Sequence, residues 1–108
     1  MKKIKFNLPI YSQFDITVII TEDVDKEATK LVKEEWSGLD GAFITKESGS
    51  TDLYLLWDGK GLETLVHELF HLVTYVMRFV QIPLIEETEE AYCYLQGWLF
   101  NKVWKLNV

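Results

Sequence analysis

Leu62-Glu63-Thr64-Leu65-Val66-His67-Glu68-Leu69-Phe70-His71-Leu72-Val73-Thr74-Tyr75-Val76-Met77-Arg78-Phe79-Val80 is the stretch on which the reading of this chain turns. It is apolar around most of a helical circumference, which marks a helix largely buried in a core. Its polar side chains are not scattered. His67, His71, Thr74 and Arg78 step by four, three and four residues, so on a helix they form one stripe, with Thr64 and Glu68 beside it. The charged and imidazole groups within the stretch exclude a membrane span.

Both histidines of the chain lie in His67-Glu68-Leu69-Phe70-His71. Positions four apart sit one turn above the other on the same helix face, so both imidazoles can reach one zinc ion. Glu68 falls about 100° further round, where it can reach metal-bound water instead of the metal. Zinc lowers the pKa of such a water to about 7, and a neighbouring carboxylate accepts its proton. The same carboxylate can then pass the proton to a leaving amine. The pattern therefore reads as zinc-dependent hydrolysis of a peptide bond, with one zinc per chain held by His67 and His71. Glu68 is the catalytic base and acid. The competing readings are a pair of structural histidines with an incidental glutamate, and a metal site without catalysis.

A catalytic zinc takes a third protein ligand and keeps one position open. No other histidine exists, so Cys93 or a carboxylate must serve. Glu86, Glu87, Glu89 and Glu90 crowd the start of the next helix. An acidic first turn is also what the helix dipole favours by itself. On the residues alone, all of these ligands stay open.

HExxH followed by a glutamate on the next helix, with Glu90 standing 19 residues after His71, resembles the gluzincin branch of the zincin-fold metallopeptidases. Val80-Gln81-Ile82-Pro83, Glu90-Ala91 and Tyr94-Leu95 are similar to a pattern in small phage- and prophage-encoded metallopeptidases. The likeness runs from Leu62 to Phe100. It implies Glu90 as the third ligand, ahead of Glu89, Glu86 and Glu87, and a peptide or protein as substrate. It also implies that the strand before the active-site helix, Asp52 to Trp57, is an edge strand to which an extended peptide adds. The apolar content of that strand (Leu53, Leu55, Leu56) fits an interior strand too.

Larger gluzincins carry an aspartate four residues after the ligand glutamate, where this chain has Tyr94. The Tyr94 hydroxyl has three readings: a catalytic donor to the oxyanion, a hydrogen-bond partner of a ligand histidine, or the tip of a core aromatic. Gly97 lies on the Glu90–Tyr94 face. A mid-helix glycine costs about 1 kcal/mol, which close packing against the active-site helix would offset.

Outside this region the sequence outlines a small α+β domain. Asp15 to Ile20 is β-branched and reads as a buried strand. Thr21 or Asp23 caps a helix whose apolar face is Val24, Ala28, Leu31, Val32 and Trp36, ended by Ser37-Gly38. Two short strands follow, Ala42–Thr45 and Asp52–Trp57. Asp58-Gly59-Lys60-Gly61 turns into the motif helix, Pro83 ends that region, and a last helix runs from Glu86–Glu89 to about Lys105. With 108 residues, residues 1–108 form one domain with one core. The expectation is a minimal zincin-like domain: a small twisted sheet packed on a central HExxH helix, an N-terminal helix, and a C-terminal helix that bears the third ligand.

Seventeen acidic against eleven basic residues give a net charge of −6, which disfavours nucleic acid and anionic membranes as partners. The single cysteine, Cys93, allows no intrachain disulfide and suits a reducing, cytoplasmic setting. Met1-Lys2-Lys3 hints at a leader, but Asn7, Pro9, Ser12, Gln13 and Asp15 break any apolar run. A second function class remains beside the enzyme: a non-catalytic or regulatory zincin-like binding module that acts through protein contacts.

Overall fold

The computed structural model describes every residue from Met1 to Val108. Lys2–Asn7 forms a strand (β1) that its lysines hide from a composition-based reading. Ile4 and Phe6 alternate with Lys3 and Lys5, the period of a strand with one face on a core, and both pack against the main cluster. Asp15–Ile20 (β2) pairs antiparallel with β1, Lys2 opposite Ile20 and Asn7 opposite Asp15.

Helix α1 spans Val24–Val32. Asp23 is its N-cap, accepting the Lys26 N–H at 3.0 Å, which satisfies one of the free donors of the first turn. The helix stops at Lys33, in the left-handed region at φ 56°, short of the Trp36 to which the helical spacing points. The Asp25 carboxylate accepts the N–H groups of Gly38 at 3.0 Å and Leu39 at 2.9 Å, drawing the chain back along α1 towards the sheet. Trp36 is left exposed in the connection.

Gly41–Thr45 (β3), Asp52–Trp57 (β4), helix α2 (Leu62–Phe79), a single 3-10 turn at Glu86–Thr88 and helix α3 (Glu89–Asn107) complete the chain. The sheet order is β1-β2-β4-β3. β2 and β4 are parallel, while β3 and β4 are antiparallel. The edge position expected for Asp52–Trp57 is therefore wrong: β4 is hydrogen-bonded on both sides. Its composition carries the reason. Leu53, Leu55, Leu56 and Trp57 are all buried, and a near-continuous apolar run suits a strand covered on both faces. The edge nearer the motif helix is β3.

Side chains alternate across the sheet. Ile16, Val18, Ile20, Leu53, Leu55 and Trp57 face α2 and α3, in one cluster with Leu65, Leu69, Leu72, Leu95 and Leu99. Ile19, Ile44 and Leu56 face α1 and pack on Val24 and Ala28. The result is a mixed four-stranded sheet between α1 on one side and the α2–α3 pair on the other, an α+β architecture. No helix is long and apolar enough to cross a membrane.

The end of α2 is set before Pro83. Gln81 stands in the left-handed region at φ 61°. Its N–H donates to the Arg78 carbonyl at 3.0 Å, and the Ile82 N–H donates to the Met77 carbonyl at 2.8 Å. This is the paired capping of a Schellman motif, with glutamine where glycine is usual.

Candidate metal centre

Helix α2 buries Leu65, Leu69, Leu72, Val73, Val76 and Met77. That apolar stripe pins the helix rotation, so His67 and His71 emerge on the exposed side. Their Nε2 atoms converge to 3.2 Å, with the rings 4.8 Å apart and 79° between planes. The Thr74 hydroxyl donates to the His71 carbonyl at 3.0 Å, so the polar stripe continues along the helix as the spacing predicts.

Glu68 leans the other way, towards the sheet. Its side chain is only 16% exposed, against 67% for His67. One oxygen, Oε1, accepts the Phe43 N–H of β3 at 3.0 Å, and the other, Oε2, lies 3.7 Å from His67 Nε2. The Phe43 amide thus serves the carboxylate rather than the ladder to β4. The close approach of β3 to α2 depends on Gly41. A Cβ there would come within 2.8 Å of Thr64 Cγ2, 3.1 Å of the Leu56 carbonyl oxygen and 3.3 Å of Glu68 Cγ. Neither Gly41 nor the Phe43 amide is visible as a site element in the sequence, because the pairing of β3 with α2 is a tertiary contact.

His67, Glu68 and His71 bring their ligand atoms within 4.8 Å of one another. Two converging imidazole nitrogens beside a carboxylate are a donor set that suits zinc. No residue of the Glu86–Glu90 run belongs to this group, and neither does Cys93. Glu86, Glu89 and Glu90 instead line a separate depression with Leu84 and Ile85.

Helix α3 turns a different face inward from the one expected. It buries Tyr92, Leu95, Leu99 and Val103. Glu90 and Tyr94 each stand two positions from Tyr92, which places them about 160° round the helix. Tyr94 is 75% exposed and lines, with Pro9, Ile10 and Tyr11, a depression that includes neither histidine. A Cβ on Gly97 would meet nothing within 4 Å, so the close packing expected there is absent. The helix is tied to the motif by a residue with no sequence signal: the Gln96 side-chain amide donates to the Val66 carbonyl at 3.3 Å, one residue before His67. The acidic first turn masks the helix phase, since charge near an N-terminus is favourable whichever face it occupies.

Around the histidines the exposed surface of α2 is apolar. Leu62, Val66 and Phe70, spaced by four, are 48%, 46% and 41% exposed. On the other flank, Gly41, Glu63, Thr64, His67 and Glu68 line a shallow cavity of about 350 Å³. Among known proteins, no family model, no curated sequence and no solved structure matches the chain.

Proposed function

We propose that this chain is a zinc-dependent metallopeptidase of a minimal zincin-like type. The observation that carries the reading is the convergence of His67 and His71 on the exposed flank of a helix whose other side is locked into the core, with the half-buried Glu68 carboxylate beside them. Zinc, when bound, supplies a Lewis acid that polarises a peptide carbonyl and activates water. His67 and His71 would hold it through Nε2. Glu68, held by the Phe43 amide, would accept at Oε2 the proton of the attacking water and pass it to the leaving amine as the C–N bond breaks.

Glu90 is the third ligand implied by the gluzincin resemblance. For it to join the cluster, the first turn of α3 must rearrange, since the helix packs Tyr92 rather than Glu90 inward. Tyr94, pointing elsewhere, is left without a catalytic part in this arrangement. The stripe of Leu62, Val66 and Phe70 supports a peptide substrate, since an apolar surface beside the histidines takes apolar side chains.

One observation favours a non-catalytic binding module as the second reading: the cluster lacks a third ligand from α3. Metal analysis of the purified chain together with a peptide-cleavage profile separates the two. One zinc per chain with Glu68-dependent cleavage supports the peptidase. Zinc without cleavage of any peptide supports the module.

A further inference from the structure

Arg78 is the only arginine in a chain with ten lysines. It ends the stripe that begins at His67, and with Thr74, Gln81, Pro83 and Tyr92 it lines a depression of about 550 Å³. Its guanidinium makes no ion pair and no side-chain hydrogen bond, although the chain is acidic. The carboxylates of Glu86, Glu89 and Glu90 line a neighbouring depression that shares Leu84 with this one, yet none pairs with Arg78. Within the same lining the Tyr92 hydroxyl donates to the Ile82 carbonyl at 2.6 Å, and Gln81 holds a left-handed backbone.

We propose that this depression binds the C-terminal carboxylate of a peptide whose scissile bond lies over His67 and His71. The proposal rests on the peptidase reading and adds the substrate class: short peptides with a free C-terminus. A guanidinium matches a carboxylate with two parallel hydrogen bonds, which an ammonium cannot do. The two cavities flank the histidines along α2 and differ in charge. The one towards the helix start carries Asp40, Glu63 and Glu68 and no cation, and the one towards the helix end carries Arg78. A free peptide is polarised in the same sense, ammonium at one end and carboxylate at the other. Arg78 follows His71 by seven residues, about 10.5 Å along the axis, and its side chain leans back towards the helix start. An extended peptide advances about 3.3 Å per residue. Cleavage therefore releases di- or tripeptides from the C-terminus.

The test compares an N-terminally blocked tetrapeptide with uncharged side chains as free acid and as C-terminal amide. Binding to zinc-loaded Glu68→Gln is measured by calorimetry, and cleavage by the wild type with product masses. The free acid is expected to bind at least tenfold more tightly than the amide and to be cleaved better mainly through KM. Arg78→Gln should erase the difference and Arg78→Lys should keep part of it. Lys105→Gln, with the same change in net charge, should keep all of it. Equal binding of acid and amide overturns the carboxylate site, as does an unchanged preference in Arg78→Gln. If neither peptide is cleaved while the acid preference persists, the peptidase reading falls and the carboxylate site stands.

Discussion

The backbone N–H of Phe43 donates to Glu68 Oε1 at 3.0 Å, so an outward amide of the edge strand is held by the carboxylate beside the histidines. Glu68 is the hydrogen-bond acceptor of that amide. In Glu68→Ala, hydrogen exchange at Phe43 should accelerate at least tenfold while β4 amides keep their protection. Unchanged exchange at Phe43 would mean that another group satisfies it.

The histidines are expected to hold the metal jointly. His67→Ala and His71→Ala should each abolish stoichiometric zinc in plasma mass spectrometry. The zinc-dependent rise in melting temperature should vanish with it, since a ligand that binds only the folded form stabilises by mass action. Full occupancy in either variant removes the motif from metal binding.

Glu68→Gln separates binding from chemistry. Zinc should be retained, while hydrolysis falls by about 10²–10⁴-fold, the usual range for a general base. Loss of zinc instead would make Glu68 a ligand, which its place inside the 4.8 Å cluster permits.

The third ligand is decided by four single variants. Glu90→Ala should weaken zinc binding more than Glu89→Ala, Glu86→Ala or Glu87→Ala, as titration against a zinc chelator will show. A larger loss from Glu89→Ala would assign the ligand to the neighbouring position and shift the working phase of α3 by one residue.

Two backbone tests follow from the sheet. Because β4 pairs on both sides, Tyr54→Pro and Leu55→Pro each delete a ladder hydrogen bond, and each should cost at least about 2 kcal/mol in urea unfolding. A folded variant with wild-type stability would contradict the interior position. Gly41→Ala forces a Cβ against Thr64 Cγ2 and should destabilise by about 1–3 kcal/mol. Thr64→Ser in that background removes the clashing methyl and should restore part of the loss.

Local chemistry is legible in the amino-acid sequence by itself. The period of Leu62–Val80 sets a buried helix with its histidines outward, because helical spacing alone decides which side chains share a face. The boundaries of β2 and β4 are readable for the same reason, each depending on residues within a few positions of itself, while the choice of Asp23 over Thr21 as the cap of α1 is shown by the structure. β1 escapes such a reading because Lys2, Lys3 and Lys5 obscure an alternation that only its pairing with β2 makes meaningful. Tertiary structure alone decides that β4 is interior, that β3 forms the edge beside α2, that Gly41 admits the Phe43–Glu68 contact, and that Glu90, Tyr94 and Gly97 share the outward face of α3. These depend on which surfaces meet, and an apolar strand or an acidic helix start is compatible with more than one such meeting. Burying Tyr92, Leu95, Leu99 and Val103 against the sheet and α2 selects the one that exists.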